Sequence, residues 1–179
     1  MIYTPAEDSW LLADKVRKYA VGRKVLDIGA GSGIQSEMAL KAGAEKVLAV
    51  DIDDESLMFL KRKNFNAVKS DLFSNVKGKF DLIVFNPPYL PEDKREDAES
   101  RRATTGGKNG DEIILRFLRD VKKHLAKNGI ILIVLSSLTP DERILKLIKK
   151  NKMEKEIIAE KTLFMEKLEV WKICWKRRA

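Results

Sequence analysis

The hydrophobic positions along this chain form two kinds of pattern in turn: residues that recur at helical spacing, and short apolar runs typical of strands. Leu12, Val16 and Tyr19 recur at helical spacing and predict a first helix over about residues 5–20. Apolar, β-branched runs predict strands near 24–28, 46–52, 67–72, 80–85 and 130–135, and helical spacing between them predicts helices near 34–42, 54–64, 113–125 and 139–151. Two final strands, near 156–164 and 168–176, have only a short connection between them, as in an antiparallel hairpin.

The order of these elements indicates the fold class. Strands that alternate with helices, followed by two strands with no helix between them, are typical of an α/β fold: an open, mostly parallel seven-stranded sheet with one antiparallel strand and helices on both faces. No repeat or linker divides the sequence, so we expect one domain over residues 1–179. In such sheets, ligands bind outside the carboxyl ends of the strands. We therefore expect chemistry in the loops after the first four strands.

Side chains that can cap helices precede three of the predicted helices. Thr4 with Glu7, and Thr139 with Glu142, have the spacing of a capping box, in which a hydroxyl and a carboxylate satisfy backbone amides at a helix start. Asp53 stands where its carboxylate can cap the helix after the second strand. We expect all three helices to begin with side-chain caps.

The composition narrows the class of protein only a little. No apolar run is long enough to span a bilayer, and the chain start lacks the basic-then-apolar order of a secretory signal, so we expect a cytoplasmic protein without membrane contact. The single cysteine, Cys174, cannot form an internal disulfide or a cysteine metal cluster, and we expect it to be buried in a strand. A net charge of +8 can attract nucleic acid or an acidic protein. A charged fraction of 35% with one glutamine resembles the composition of thermophile proteins.

The loop after the first strand carries a glycine-rich segment, Asp-Ile-Gly-Ala-Gly-Ser-Gly. Its glycines permit a tight turn and let a ligand approach the backbone closely. The segment does not match the dinucleotide-binding pattern, because Ile34 stands where a third glycine is required. An acid directly before the glycines also suits a ligand with a cationic amino group better than a pyrophosphate. The residues predicted to meet the cofactor here are Asp27, Gly29, Gly31 and Gly33.

Acidic residues also end the second and third predicted strands. Asp51 lies about where Rossmann-type sites place the carboxylate that accepts both ribose hydroxyls. Asp53 and Asp54 compete for that role, although a helix cap explains Asp53 better. Asp71 precedes Leu72, and its segment taken alone fits a turn aspartate as well as a binding residue.

Asn86-Pro87-Pro88-Tyr89 follows the fourth strand and is a more specific signal than the glycine segment. The two prolines fix the backbone and remove two donors, which leaves their carbonyls as acceptors. The side-chain carbonyl of Asn86 adds an acceptor, and Tyr89 offers a flat face to a planar substrate. We interpret the segment as both the catalytic and the substrate-binding element, and we also count Asn86 among the cofactor-binding residues.

Such acceptors suit methyl transfer to a nitrogen whose lone pair is delocalised. Acceptors on both hydrogens of an NH2 group favour a pyramidal nitrogen as charge develops, which combines positioning with electrostatic stabilisation. A strong general base is not required, because the proton becomes acidic once the methyl group has arrived. The motif itself leaves adenine, cytosine, guanine and glutamine nitrogens open as acceptors.

Longer segments narrow the choice by family resemblance. The glycine segment resembles the Asp-x-Gly-x-Gly-x-Gly motif of class I S-adenosylmethionine-dependent methyltransferases. Residues Tyr3–Ser9 with Leu11–Leu12, Gly106–Gly110 and Arg116–Phe117 are similar to the HemK-like glutamine methyltransferases, and most similar to the archaeal and eukaryotic branch that modifies translation release factors. The resemblance implies a Rossmann-like fold, S-adenosylmethionine as methyl donor with S-adenosylhomocysteine as product, and N5-methylation of the glutamine in a Gly-Gly-Gln motif.

The resemblance also assigns roles to single residues. It adds Ser9 to the cofactor site, has Asp71 accept from the adenine amine, and lays Leu72 against the ring. Asp8 would help to close the pocket from above. The chain departs from the family at Thr104–Thr105, where other members carry a bulky residue before twin glycines. By resemblance, the partners are a release factor as substrate and a small zinc-binding activator subunit beside the third strand.

Two other functions remain open at this stage. A nucleic-acid N-methyltransferase acting on a purine would suit the net charge of +8 and the basic tail Lys176–Arg178, but one domain leaves little chain to grip RNA or DNA. Protein lysine methylation, as a secondary activity, is the other alternative. A binding or scaffold protein with a vestigial site is disfavoured by the intact segments at 27–33 and 86–89.

Overall fold

The computed structural model describes residues 4–92 and 104–177 of the chain. The helices are α1 (Glu7–Tyr19), α2 (Ile34–Lys41), α3 (Asp54–Arg62), α4 (Glu112–Asp120) and α5 (Glu142–Lys150). The strands are β1 (Lys24–Ile28), β2 (Lys46–Asp51), β3 (Ala67–Lys69), β4 (Phe80–Phe85), β5 (Leu125–Ser136), β6 (Met153–Thr162) and β7 (Lys167–Trp175). All the predicted helices and strands are present, with bounds that shift by a few residues.

The strands form one seven-stranded sheet in the order β3-β2-β1-β4-β5-β7-β6. Parallel pairs join β3 to β2, β2 to β1, β1 to β4 and β4 to β5. β7 is antiparallel to both β5 and β6. The predicted architecture, a mostly parallel sheet with one antiparallel strand, is confirmed. The strand order reverses between β1 and β4, so the crevice outside their carboxyl ends is where such a sheet binds ligands.

Helices cover both faces of this sheet, as predicted. On one face, Leu12 of α1 and Ala39 of α2 pack in a hydrophobic cluster with Leu82 of β4. On the other face, Phe117 of α4 packs in a second cluster with Ile83. Because successive strand residues point to opposite faces, β4 is buried on both sides, and packing on both faces holds its carboxyl end at the cavity.

The predicted helix caps were wrong at two of three helices. α1 begins after Ala6 and α5 after Asp141, and no described side chain caps either helix. The Thr139 hydroxyl instead donates to the carbonyl of Tyr89 at 2.7 Å. Asp53 caps α3 as predicted, with its carboxylate accepting a backbone N–H of the first turn at 2.8 Å.

The third strand ends at Lys69 and is therefore shorter than predicted. Leu72 has a φ of 49°, in the left-handed region, so the chain turns there and cannot continue as a strand. The loop predicted over 90–109 lies partly outside the described residues. In its described parts, Leu90 forms a β-bridge with Thr105.

Neither a membrane span nor a metal centre is found in the described part of the chain. No helix there has the length and apolar character needed to cross a membrane. No group of three or more His, Cys, Asp or Glu residues in those ranges could hold a metal ion. Cys174 lies in β7, where it is only half-buried, and its partial burial raises the pKa of the thiol.

Candidate active site

A cavity of about 740 Å³ opens at the carboxyl ends of the central strands. Its walls include the predicted cofactor-binding residues Ser9, Asp27, Gly29, Gly31, Asp51, Asp71 and Leu72. The whole segment from Asn86 to Tyr89 lines the same cavity. Gly33 is the one predicted site residue that does not line this cavity.

Gly33 lies at the start of α2 and serves the packing of the glycine loop. It has a φ of 78°, a conformation that side chains rarely adopt. An added Cβ would lie 2.7 Å from Leu60 and 3.0 Å from Phe65. Gly33 therefore lets the loop pack against the α3 region, whereas its predicted contact with a cofactor has no support in the cavity lining.

Asp27 is a buried acid at the base of this cavity, with 1% of its surface exposed. One oxygen, Oδ2, accepts from the Ser36 hydroxyl at 2.7 Å and from the Ser36 N–H at 3.0 Å. Burial raises the pKa of the Asp27 carboxyl to about 7, against the lowering effect of Ser36, and the nearby Asp51 charge adds to the rise. A cationic group in the cavity would stabilise the ionised form of Asp27.

Asp51 ties the second strand to the glycine loop. Its Oδ2 accepts from the Gly31 N–H at 2.8 Å, and its Oδ1 accepts from the Asp53 N–H at 2.9 Å. These bonds fix the carboxylate at the cavity wall. Asp53 is occupied as the α3 cap, and Asp54 pairs with Lys69 on the surface. Of the three candidates for a ribose contact, Asp51 is therefore the best placed.

Asp71 and Leu72 lie at another part of the cavity wall, in the turn after β3. Asp71 forms an ion pair with Arg116 at 2.7 Å, a contact that the sequence pattern did not predict. Ser70 donates its hydroxyl to the Leu72 carbonyl at 2.8 Å, which helps to hold the left-handed turn. Asp71 is thus a turn residue that also lines the cavity, and its contact with a cofactor stays a prediction.

The amide of Asn86 has a fixed direction. Its Nδ2 donates to Asp8 Oδ2 at 3.0 Å and to Ser9 Oγ at 3.4 Å. Its Oδ1 is buried and has no hydrogen-bond partner among the described residues. An acceptor left without a donor in a protein interior is costly unless a ligand supplies one.

Two loops support the segment that carries Asn86. The Tyr89 carbonyl accepts from Thr139, and the Tyr89 hydroxyl donates to Asp8 at 3.4 Å. The Gly106 N–H donates to the Leu90 carbonyl at 2.9 Å, and a Cβ at Gly106 would lie 2.6 Å from the Pro88 carbonyl oxygen. The first of the twin glycines therefore allows a close backbone approach that holds the segment in place.

Two residues in the cavity wall lie outside the predicted catalytic and binding residues, although the resemblance already implies that Asp8 helps to close the pocket. Asp8 is 5% exposed although it lies in the first turn of a surface helix. The sequence signal for this burial is that Asp8 lies four residues before Leu12, and therefore on the apolar face of α1. Gln35 is also buried, with Nε2 donating to the Ser9 carbonyl at 2.9 Å, and no described residue pairs with its Oε1.

Comparisons with known proteins show which proteins this chain is similar to. A family model described as the methyltransferase small domain matches residues 7–165. A protein from Methanocaldococcus jannaschii, provisionally named a protein N5-glutamine methyltransferase, is 39% identical over 177 residues, covering 94% of this chain and 89% of its own. The human methyltransferase HEMK2 is 30% identical, covering 96% of this chain and 88% of its own.

Among the similar solved structures is one that matches over nearly the whole length of both chains. It is the E. cuniculi Mtq2–Trm112 complex, described as responsible for methylating the eRF1 translation termination factor. Its matching chain has a TM-score of 0.80 and 24% identity, covering 98% of this chain and 99% of that chain. At this identity the likeness concerns the fold.

Proposed function

Because this chain belongs to the methyltransferase small domain family, we propose that it methylates the side-chain amide of a glutamine in the Gly-Gly-Gln loop of a class I translation release factor. The chain is an S-adenosylmethionine-dependent methyltransferase. The M. jannaschii relative, which carries the name of a protein N5-glutamine methyltransferase, matches nearly the whole length of this chain and supports this substrate. Human HEMK2 matches over a similar length and supports the same family.

The observation that carries the proposal is the direction of the Asn86 amide. Its nitrogen is used by Asp8 and Ser9, and its oxygen is buried with no donor among the described residues. Asn86 itself lines the cavity. A carboxamide NH2 from a substrate supplies the donor that this oxygen lacks. The site is therefore preorganised for a nitrogen that carries hydrogens.

The cavity also fits the methyl donor. Its volume of about 740 Å³ lies within the usual range for small-molecule sites. Five aspartates are in its described lining, and neither lysine nor arginine is among those lining residues. Such a wall suits a cationic sulfonium and ammonium group and disfavours a pyrophosphate. We propose that Asp27 faces the amino group and Asp51 the ribose hydroxyls.

The chain's own residues can then perform the transfer by positioning. When bound, S-adenosylmethionine would supply an electrophilic methyl group and leave as S-adenosylhomocysteine, and the methylated nitrogen would then lose one proton to water. Asn86 Oδ1 accepts one hydrogen of the substrate amide, and we propose that a carbonyl of the Pro87–Pro88 segment accepts the other. These contacts strengthen as the nitrogen becomes positive, so they stabilise the transition state more than the ground state. Tyr89 packs its ring against the planar amide.

The charge of the cavity wall separates this proposal from nucleic-acid methylation. A neutral amide on a glycine-flanked loop can enter an aspartate-lined pocket without electrostatic cost, whereas the phosphates next to a nucleobase would be repelled. The described cavity lining contains neither lysine nor arginine, so the basic residues behind the net charge of +8 lie outside that lining, from where they can steer an acidic protein.

We further propose that a small activator subunit, zinc-binding as in the resembling branch, assists the enzyme in the cytoplasm. The E. cuniculi Mtq2 structure is a complex with Trm112. In this chain, the edge strand β3 has three residues and leaves one side of the sheet short. That edge is the place where a second protein could extend the sheet.

Transfer of labelled methyl groups tests the substrate. The enzyme, with and without a candidate activator, is incubated with a termination factor, its Gln→Ala variant and total RNA. We expect label on the intact factor alone. Label on RNA, or equal label on the Gln→Ala factor, would overturn the substrate assignment.

A further inference from the structure

We infer that Asp8 is a positioning residue that sets the direction of the Asn86 amide, so that the amide oxygen faces the substrate. The inference rests on the proposed function, because it explains the orientation of Asn86 Oδ1, the acceptor on which that function depends. Asp8 comes from α1 and Asn86 from the end of β4, so the contact joins two elements that are distant in the sequence.

The two oxygens of Asp8 have separate partners. Oδ1 accepts from the Ser9 N–H at 2.6 Å and from the Ser9 hydroxyl at 3.2 Å. Oδ2 accepts from Asn86 Nδ2 at 3.0 Å and from the Tyr89 hydroxyl at 3.4 Å. Both sides of the carboxylate therefore face donors, and an ionised carboxylate is a group that only accepts.

This arrangement decides which end of the Asn86 amide faces Asp8. An asparagine amide can turn by half a revolution and exchange its oxygen for its NH2 group at little steric cost. Beside a carboxylate, the turned state would place oxygen against oxygen and lose the bond. Asp8 thus holds the NH2 group of Asn86 toward itself and leaves Oδ1 as an acceptor for the substrate nitrogen.

Replacement of Asp8 by asparagine should reverse that preference. The Ser9 N–H can only donate, so the oxygen of Asn at position 8 stays on that side. Its new NH2 group then faces Asn86, which turns to offer its oxygen and points its own NH2 group at the substrate. The isosteric Asp8→Asn variant should therefore lose more turnover than Asp8→Ala, which leaves Asn86 free to turn.

The kinetic test uses Asp8→Asn, Asp8→Ala, Asn86→Ala and the double variant Asp8→Asn/Asn86→Ala. Asp14→Asn is the matched control, because Asp14 is an exposed acid on the same helix that pairs with Lys15. We expect kcat for the termination factor to fall at least about tenfold in Asp8→Asn, with KM and the affinity for S-adenosylhomocysteine changing less than about threefold. In the Asn86→Ala background, Asp8→Asn should add less than about twofold.

A structural role for Asp8 gives different results. Three results would each overturn the inference. The first is a double variant in which the two losses of kcat multiply. The others are a smaller loss of kcat in Asp8→Asn than in Asp8→Ala, and a kcat of Asp8→Asn within about twofold of wild type. Thermal unfolding of each variant shows whether it is folded, and the Asp14→Asn control reports the effect of removing one charge from α1.

Nuclear magnetic resonance gives a readout that does not depend on turnover. In ¹⁵N-labelled protein, the side-chain NH2 signals of Asn86 are assigned by their loss in Asn86→Ala. We expect wild-type Overhauser contacts between these protons and Ser9, and their loss in Asp8→Asn but not in Asp14→Asn. Their absence in wild type would contradict the inference even if the factor is methylated. Their presence in a wild-type enzyme that leaves the factor unmethylated would support the positioning and reject the proposed substrate.

Discussion

The two halves of the cavity are built in different ways. The cofactor half consists mainly of the ends of neighbouring strands and the backbone turns that follow them, joined by contacts such as the Asp51 bond to the Gly31 N–H. The substrate half depends on side chains from distant elements, with Asp8 and Thr139 both holding the segment after β4. A site of this kind separates a rigid platform for the methyl donor from an acceptor whose direction depends on tertiary contacts.

The largest expected effect is in the substrate half. Asn86→Ala should lower turnover by about a hundredfold or more, the usual loss on removal of one transition-state acceptor. Cofactor affinity should stay within a few-fold, as measured by titration calorimetry. Near-normal turnover in this variant would refute the proposed contact with the substrate amide.

The next effect is in the cofactor half. Asp51→Ala should weaken S-adenosylmethionine binding by about 1 to 3 kcal/mol, the range for losing hydrogen bonds to a charged group. Asp54→Ala is the control, because Asp54 lies close in sequence but pairs with Lys69 on the surface. If Asp54→Ala weakens binding as much as Asp51→Ala, the assignment of the ribose contact is wrong.

Gly33→Ala should separate loop packing from ligand contact. Gly22→Ala is its control, because Gly22 also has a positive φ but an added Cβ there meets open space. We expect Gly22→Ala to lower the free energy of unfolding by about 1 kcal/mol through backbone strain, and Gly33→Ala to lower it by at least about 1 kcal/mol more through the clash with Leu60. Equal losses in urea titrations would show that the packing contact is unimportant.

The smallest effect is a pH dependence of cofactor binding. The pKa of Asp27 is raised to about 7, so part of the protein carries a neutral acid there at neutral pH. A bound ammonium group favours the carboxylate, and binding then releases a proton. We expect affinity to rise by up to about tenfold between about pH 6 and pH 8, with the gain complete above the raised pKa. Calorimetry in buffers of different ionisation enthalpy measures the released proton, and Asp27→Asn should show none.

These two halves also differ in how far the sequence could predict them. Asp27, Gly29 and Gly31 of the glycine segment, Asp51 and the residues from Asn86 to Tyr89 line the cavity, because each group lies at the end of a strand whose pattern is clear. Their contacts with a cofactor or substrate stay predictions. The chain order and periodicity likewise predicted the sheet and its antiparallel strand, since these depend on local patterns.

The failures have a common physical cause. The pattern at Thr139 fits a capping box, but its hydroxyl bonds to Tyr89 in another loop. Asp8 bonds to Asn86 across the fold, and Gly33 is needed because Leu60 packs beside it. Such contacts depend on which elements meet in space, and spacing along one chain carries little information about them.

The central claim is that this enzyme methylates a glutamine amide held by Asn86. Its most direct test is tandem mass spectrometry of the termination-factor peptide that contains the Gly-Gly-Gln motif, after incubation with the wild-type enzyme or Asn86→Ala. The account predicts one added methyl group on the glutamine side-chain nitrogen with wild type and almost none with the variant. A methyl group on another residue, or equal glutamine methylation by both enzymes, would contradict it.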